Sequence, residues 1–427
     1  MQIVMRYGRE GLPLDLPDEL EITVIRKPVM PVLSDPEKAI RSALAHPVGC
    51  KSLQETVLGS RSACILICDI TRPVPNGIIL PILIKELMQA GLKPEAITVL
   101  VATGLHRPNE GAELREVVGS DWVMNTVRVL NHFARQDADH EDLGFVEGDI
   151  PVKLDRRFVM ADLRIAVGLV EPHFMAGYSG GRKVIVPGIA HEKTIRILHS
   201  ARILEHCRAT NCIIEGNPLH DIQMQILQKL GPCFAVNVVI DEARHLSFVN
   251  FGAIEESHID AIAFVRPYAE IPINRRFRTV ITSAAGYPLD KTYYQTIKGM
   301  VGALEIMEEG GDLLIISACS EGIGSADYER AQAKLTGMGP EAFLEGLLRK
   351  SAAAIDEWQA EMQVRAMKKT RIYLYSDGLS ADQQTLTGVR MMRSPVTTIM
   401  ESVRRHGDRH VAVIPEGPYV IPVFTAR

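Results

Sequence analysis

Three polar segments of this chain carry residue types that can move protons or hold anions. They are DITRPVP (69–75), ATGLHRP (102–108) and EPHFMAGYSGGRK (171–183). His106 and His173 are candidates for a general acid and base, because imidazole titrates near neutral pH. Arg72 offers a planar guanidinium that pairs with a carboxylate or a phosphate. Two histidines flanking one ligand would suit a reaction that needs a base on each face of a carbon.

Simpler interpretations of the same residues exist. Asp69 and Arg72 could form a salt bridge that fixes a loop, and His106 could be a structural hydrogen-bonding residue. The AGYSGGRK segment resembles a phosphate-binding loop in composition, since glycines let backbone amides close on a phosphate and Arg182 or Lys183 adds positive charge. It lacks the GxxxxGK[ST] pattern of P-loop proteins, and no GxGxxG follows a predicted strand. A tight turn flanked by surface bases therefore stays open.

Three further histidines recur in a segment with helical spacing. His191, His199 and His206 are eight and seven residues apart, which predicts that they share roughly one helix face. Side chains two turns apart cannot chelate one metal together, so at most one of them is a ligand. A metal site with a single histidine requires that non-protein groups supply the other donors.

Length and composition favour a two-domain protein with a small-molecule partner. The chain has 427 residues and a net charge of -5, so we expect neither a nucleic acid nor an acidic membrane surface as partner. No signal peptide or apolar span is visible, which predicts a cytoplasmic protein. The seven cysteines form neither a disulfide framework nor a zinc motif, and Cys64 and Cys68 lie in an apolar run as packing residues.

Apolar runs alternate with helical patterns along both halves of the chain, which predicts an α/β fold. Strands are predicted at ACILICD, AITVLVA, LRIAVGLV, RTVITSA and DLLIISACS, and helices at NGIILPILIKELMQAG and QTIKGMVGALEIMEEGG. The polar segments follow these strands, where open parallel sheets bind ligands.

The predicted architecture is two α/β domains with mostly parallel sheets and an active site in the cleft between them. We expect an N-terminal domain at 1–270, possibly joined by the segment 405–427, and a C-terminal domain at 275–404. The stretch VRPYAEIPINRRFR (265–278) is the predicted connector.

Taken together, DxTRP, ATGxHRP, EPHxxAGYSGGRK, a histidine at 199 and YYQTIKG (293–299) resemble the nickel-dependent lactate racemase family over nearly the whole chain. The resemblance implies a nickel-pincer nucleotide, Ni(II) pyridinium-3,5-bisthiocarboxylic acid mononucleotide, joined to a lysine as a thioamide. In that cofactor nickel is held by one ring carbon, two sulfurs and one histidine. The organic group would thus supply the donors that a single histidine leaves missing, and the N-terminal domain would anchor it.

The resemblance also implies a role for each matching residue. Lys183 would anchor the cofactor, His199 would ligate nickel, His106 and His173 would be the acid/base pair, and Arg72 would hold the substrate carboxylate. Tyr294, Gln295 and Lys298 would meet the substrate from the C-terminal domain. The remaining implied cofactor-binding residues are Asp69, Thr71, Gly177, Tyr178, Ser179, Gly180, Gly181, Arg182 and Trp358.

The implied reaction is racemisation or epimerisation of a 2-hydroxy acid, with lactate the leading substrate and malate, longer-chain acids or sugar acids as alternatives. Hydride moves to the cofactor and back while the histidines handle the hydroxyl proton, which avoids a costly dianion-like enolate. Separate proteins that synthesise the cofactor would be partners. Two other classes are a non-catalytic nickel or cofactor carrier, which would not need both histidines, and a metal-free sugar-phosphate enzyme, which would not need Lys183 and His199.

Overall fold

The computed structural model describes residues 1–147 and 149–425. Within these residues no helix combines the length and apolarity needed to cross a membrane. The strands are β1 (Gln2–Met5), β2 (Leu12–Asp15), β3 (Glu21–Val24), β4 (Ala63–Cys68), β5 (Ile97–Ala102), β6 (Arg128–Asn131), β7 (His140–Val146), β8 (Ile150–Asp155), β9 (Leu163–Leu169), β10 (Pro172–His173), β11 (Gly177–Tyr178), β12 (Phe234–Ile240), β13 (Leu246–Ala253), β14 (Glu270–Ile273), β15 (Phe277–Ser283), β16 (Met307–Ile316), β17 (Thr370–Tyr375), β18 (Arg390–Met391), β19 (His410–Ile414) and β20 (Ile421–Phe424).

A helix forms in each of the two predicted helical segments. The helices are α1 (Pro36–Ala45), α2 (Leu53–Val57), α3 (Asn76–Gln89), α4 (Gly111–Val118), α5 (Asp121–Thr126), α6 (Arg156–Val159), α7 (Arg182–Ile185), α8 (Glu192–Leu198), α9 (Ala201–Leu204), α10 (Pro218–Leu230), α11 (Ile254–Ala269), α12 (Tyr293–Gly302), α13 (Ala326–Met338), α14 (Pro340–Leu348), α15 (Glu357–Lys369), α16 (Ala381–Leu386) and α17 (Pro395–His406).

The chain divides into two compact units. Unit 1 comprises Met1–Pro28, His199–His206 and Pro267–Arg427, and unit 2 comprises Val29–Leu198 and Cys207–Arg266. The predicted class, two α/β domains with mostly parallel sheets, is confirmed.

The unit boundaries differ from the predicted ones at 1–270 and 275–404. The N-terminal strand β3 pairs with β19, which also pairs with β15, so both ends of the chain complete the unit 1 sheet. The segment 405–427 therefore joins the C-terminal half rather than the N-terminal domain. Its last two residues, Ala426 and Arg427, lie outside the described residues.

Unit 2 is built on a six-stranded sheet in the order β13-β12-β9-β4-β5-β6. All neighbours are parallel except β12 and β13. Every residue of β4 is buried, as expected for a central parallel strand covered on both faces. The prediction that Cys64 and Cys68 are buried packing residues is correct.

Unit 1 is built on a second six-stranded sheet, all parallel, in the order β18-β17-β16-β15-β19-β3. A hairpin of β1 and β2 packs its buried side chains against this sheet. The predicted helix at 295–311 is too long, because α12 ends at Gly302 and β16 already begins at Met307. Side chains of Met307 and of Leu313–Ile316 are fully buried, so tertiary packing outweighs the helical spacing of this segment.

Candidate active site

Three candidate segments of unit 2 follow the carboxyl ends of three adjacent strands. Strand β4 lies between β5 and β9, and Cys68 at its end is paired with Ala102 at the end of β5. The segment with Asp69 follows β4, that with His106 follows β5, and that with His173 follows β9. The predicted placement of the polar segments at this edge of the sheet is therefore what the structure shows.

His106 is held by a buried carboxylate. Its Nδ1 lies 2.5 Å from Oδ2 of Asp69, while Oδ1 of Asp69 accepts from the Thr71 hydroxyl at 2.5 Å. Burial alone would raise the pKa of Asp69, but His106 and Thr71 bring it below its ordinary value. An ionised Asp69 only accepts hydrogen bonds, so His106 carries its proton on Nδ1. Nε2 of His106 then presents a lone pair and can accept a proton.

His173 has the opposite arrangement. Its Nδ1 accepts from the backbone N–H groups of Met175 at 3.3 Å and Ala176 at 3.2 Å. A nitrogen that accepts two hydrogen bonds carries no proton, so the neutral ring is protonated on Nε2. His106 and His173 thus rest in opposite tautomers, one ready to accept a proton and the other presenting an N–H donor.

Arg72 pairs with Glu171, which lies two residues after the end of β9. Its guanidinium is also close enough to stabilise the Asp69 carboxylate by charge. Arg72 and Lys183 both oppose the effect of burial on the Cys68 thiol, whose pKa is raised to about 11. Arg72, Lys183 and Asp69 therefore lie together around the end of β4.

The AGYSGG loop packs against the protein interior. A Cβ on Gly177 would lie 2.2 Å from the Ile213 carbonyl oxygen, and one on Gly180 would lie 2.6 Å from a methyl of Val170. Both glycines have positive φ, so the loop needs them for its backbone and for close packing. The side chains of Tyr178, Ser179 and Arg182 are also buried, as is Gly181. Lys183 is partly exposed, on the short helix α7.

The predicted common helix face of His191, His199 and His206 is wrong. Helix α8 ends at Leu198 and α9 begins only at Ala201, so the break falls at His199. His191 is buried in unit 2, with Nε2 3.1 Å from Asp137. His199 and His206 belong to unit 1.

In unit 1 the His199 ring packs against Trp358 with ring centroids 4.8 Å apart. Trp358 donates from Nε1 to the Tyr294 hydroxyl at 3.2 Å, and the neighbouring Gln359 donates to the Tyr294 carbonyl at 2.5 Å. The structure thereby brings together a histidine, a tryptophan and a tyrosine that are far apart in the sequence.

Helix α12 carries the other predicted substrate-binding residues. Tyr294 and Lys298 are one turn apart and share a helix face, with Gln295 adjacent. The Gln295 side-chain oxygen is buried and has no hydrogen-bond partner within the described residues. An unsatisfied buried amide oxygen costs free energy.

The buried carboxyl group of Glu361 on α15 lies beside Glu205 of the segment 199–206. Burial raises the pKa of Glu361 to about 9, and nearby Glu205 raises it further while Arg365 opposes it. Arg365 also donates to the Leu204 carbonyl and pairs with Glu205 at 3.7 Å. At neutral pH Glu361 is therefore protonated, which lets it lie beside the Glu205 carboxylate without charge repulsion.

Replacing Glu361 with glutamine should flatten the pH dependence of unit 1 stability. The folded-state pKa lies above the ordinary 4.5, so the free energy of unfolding falls as pH rises from about 4.5 to about 9. One proton accounts for a slope of up to about 1.4 kcal/mol per pH unit. The measurement is urea unfolding between pH 5 and 8 in a Trp122→Phe background, where the remaining tryptophan, Trp358, reports on unit 1.

Glu357→Gln, one turn earlier on α15, is the matched control. The Glu357 carboxylate is buried, but Lys350 and the Ala354 N–H outweigh that burial and lower its pKa, so the same exchange should cost stability at neutral pH. Parallel pH profiles for wild type and Glu361→Gln would mean that Glu361 is ionised at neutral pH.

Sequence reasoning assigned no role to several residues that shape these sites. Glu171 lies two residues after the end of β9 and Asp69 directly follows β4, and this similar position was a usable signal. Glu205, Glu361 and Gln359 carry no such signal, because their importance depends on the packing of the His199 segment against α15.

Comparison with protein-family models and known proteins gives consistent matches along the chain. Residues 7–211 match the lactate racemase N-terminal domain and residues 274–422 match the lactate racemase C-terminal domain. A lactate racemase of Thermoanaerobacterium thermosaccharolyticum is 30% identical over 430 residues, covering 98% of both chains. One from Lactiplantibacillus plantarum is 30% identical over 389 residues, covering 90% of both.

Solved structures agree with these matches. The lactate racemase apoprotein from T. thermosaccharolyticum superposes with a TM-score of 0.90 at 28% identity, covering 99% of this chain and 100% of that one. A Thermotoga maritima protein with a TM-score of 0.68 at 17% identity, covering 91% and 98%, shares the fold. The fold and these matches define an isomerase of the racemase class. The chain belongs to the lactate racemase family.

Proposed function

We propose that this protein racemises or epimerises a 2-hydroxy acid, with lactate the leading substrate, by means of a nickel-pincer nucleotide attached to Lys183. The observation that carries the proposal is the contrasting hydrogen bonding of the two histidine rings, from which their opposite tautomers are inferred. His106 offers a lone pair on Nε2 and His173 offers an N–H, on segments that follow the two strands flanking β4. Both named relatives are lactate racemases, which supports lactate.

The residues present fit the implied cofactor. Lys183 is a partly exposed amine close to Arg72 and to the end of β4, which suits a covalent anchor. No group of three or more histidine, cysteine, aspartate or glutamate side chains in residues 1–147 and 149–425 is arranged to hold a metal ion. A nickel ion bound through His199 would then need donors from an organic group, which is the donor set that the pincer provides.

We assign the AGYSGGRK segment (176–183) the role of shaping the backbone around Lys183. Tyr178, Ser179 and Arg182 are turned into the protein, and the glycines at 177, 180 and 181 permit its tight backbone. Trp358 would orient His199 through their ring contact, and Asp69 and Thr71 would orient His106. These residues would therefore orient the groups that contact the cofactor and the substrate, without contacting the substrate themselves.

The protein's own groups would bind the substrate and handle its hydroxyl proton. When bound, the cofactor supplies a hydride acceptor for the α-carbon. Arg72 would exchange its contact with Glu171 for the substrate carboxylate, a group that a planar guanidinium can bind through two N–H donors. Nε2 of His106 would accept the hydroxyl proton, and the imidazolium so formed faces Asp69. Nε2–H of His173 would give its proton to the substrate oxygen when that oxygen is presented from the other side, and the ring would then regain a proton from solvent while His106 releases the one that it accepted.

Residues of α12 would complete substrate recognition. The buried oxygen of Gln295 can accept a substrate hydroxyl or a cofactor N–H, and Lys298 adds positive charge on the neighbouring face. Malate, longer-chain acids and sugar acids share the 2-hydroxycarboxylate that these groups would contact, so they stay alternatives to lactate. A non-catalytic cofactor carrier would have no use for the opposed histidines.

The test is intact-mass spectrometry with metal analysis on protein produced together with the cofactor-synthesis proteins. We expect an added mass that maps to Lys183 and racemisation of lactate. Because His199 and one cofactor would bind one metal ion, we also expect about one nickel per chain. Protein that carries the adduct and nickel but interconverts no 2-hydroxy acid would favour the carrier. Protein without any adduct would refute the proposed cofactor.

Replacing His199 with alanine should keep the covalent adduct and lose nickel, because it removes the protein's donor to the metal. The measurement combines intact mass with nickel content after dialysis against a chelator. His206→Ala is the matched control, since His206 is exposed and lies in the same segment. Unchanged nickel in His199→Ala would move the ligand to another residue.

A further inference from the structure

Two buried side chains donate to carbonyl groups of the loop whose N–H groups contact His173. The peptide between Met175 and Ala176 donates its N–H to Nδ1 of His173, and its carbonyl accepts from Nδ2 of Asn217 at 3.0 Å. The next carbonyl, that of Ala176, accepts from Nη2 of Arg182 at 2.8 Å. Asn217 and Arg182 are 0% and 2% exposed, so neither reaches a ligand from solvent.

Arg182 is an unusual choice for a purely structural donor. No ion pair joins its guanidinium to a carboxylate within the described part of the chain, and its Nη1 lies 3.2 Å from Nδ1 of the His258 side chain. Nε2 of His258 in turn donates to the Ser179 carbonyl at 2.7 Å. A buried cation without a counter-ion is costly, so its presence points to a requirement of the loop to which it donates.

We propose that Asn217 and Arg182 are positioning residues that fix His173 in its Nε2–H tautomer by orienting the peptide groups of Met175, Ala176 and Gly177. The functional part of this inference rests on the acid/base role proposed above for His173. Asn217 polarises the carbonyl of the Met175–Ala176 peptide. The N–H of that peptide thereby becomes a stronger hydrogen-bond donor to Nδ1 of His173. The same N–H groups oppose a second proton on Nδ1, so the pair also governs how readily His173 becomes doubly protonated.

Asn217 offers a clean substitution, because its side chain makes two separable kinds of contact. Oδ1 accepts from the Leu219 N–H and caps α10, while Nδ2 donates to the carbonyls of Met175 and Ile213. Asn217→Ser keeps a capping oxygen but is too short to reach Met175. The matched control is Asn250→Ser, which removes a buried amide that donates to Ser257 and Asp260.

The experiment is ¹⁵N NMR of histidine side chains in the full-length apoprotein, with the His173 signals assigned by comparison with His173→Gln. In wild type we expect His173 to show one unprotonated Nδ1 and one protonated Nε2 at neutral pH. Asn217→Ser should lose this single-tautomer pattern and show averaged shifts, and Asn250→Ser should keep it. Arg182→Lys keeps the positive charge but loses the planar guanidinium that donates to the Ala176 carbonyl. Its His173 ¹⁵N shifts should therefore also be averaged.

Three results would overturn the inference. They are a wild-type His173 that already shows mixed tautomers, an Asn217→Ser protein that keeps the wild-type pattern, and equal averaging in the Asn250→Ser control. If Asn217→Ser does not fold, the wild-type and Arg182→Lys spectra decide. Because the measurement uses apoprotein, a negative result here is distinct from failure of the proposed function, which would appear as absent adduct or absent racemisation.

Discussion

Lys183→Ala protein, produced together with the cofactor-synthesis proteins, is expected to carry no covalent adduct and to show no racemase activity. The amine is the proposed nucleophile for the thioamide link, and alanine has no group that can replace it. Lys183 is partly exposed on the four-residue helix α7, so its removal should disturb packing little. Intact mass, nickel content and lactate racemisation measure the effect, and circular dichroism checks the fold.

Lys193→Ala is the control for this experiment. Lys193 is exposed and lies ten residues further along the same unit, on α8. It should keep both adduct and activity. An adduct that persists in Lys183→Ala would show that another lysine is the anchor.

Replacing either His106 or His173 with glutamine should reduce racemisation in both directions. If each residue serves one face of the substrate carbon, every turnover uses both of them. A general acid or base typically contributes about 10²–10⁴-fold, so each variant should lose at least that order of rate in either direction. The adduct and the nickel should remain, which separates a catalytic defect from a failure to assemble.

His245→Gln is the matched control, because Nδ1 of His245 lies 3.0 Å from Asp241 in a pair that resembles His106 and Asp69. It should leave the rates unchanged. A variant that loses only one direction of the reaction would contradict the requirement for both residues.

Substrate labelled with deuterium at the α-carbon distinguishes hydride transfer from proton abstraction by the same two histidines. Hydride that moves to the cofactor and back is not exchanged with water, so NMR of the product formed in ordinary water should show retained deuterium together with a primary isotope effect. Complete washout of the label would favour proton abstraction at the α-carbon.

The sequence predicted the main elements of the sheets because their signals are local. The run ACILICD is apolar throughout, as a strand buried on both faces must be, and it forms β4. The end of α12 could not be predicted, because the segment after Gly302 keeps helical spacing in the sequence. It forms β16 instead, whose side chains are buried against other parts of the fold. The unit boundaries were equally hidden, since pairing of β3 with β19 joins residues almost 400 positions apart.

At the candidate site the sequence indicated which residue types could act but not their protonation. Nothing near His106 or His173 in the sequence distinguishes their tautomers, which depend on a carboxylate from another strand end and on two local peptide groups. The helical pattern around His199 was misleading for a similar reason. The helix breaks at His199, and the following residues Ala201–Leu204 and Glu205 pack against α15 in unit 1, which the local sequence does not reveal.

The division of the chain has a consequence for the order in which the protein can be completed during synthesis. The polypeptide passes from one unit to the other after Pro28, Leu198, His206 and Arg266. His199 leaves the ribosome long before Trp358, its ring partner on α15. Domains fold largely as units as they emerge, so the segment 199–206 must wait for some 150 further residues before its packing partners exist. A truncated chain that ends before α15 would therefore keep Lys183 and both strand-end histidines, while its His199 would lack the surface that holds it.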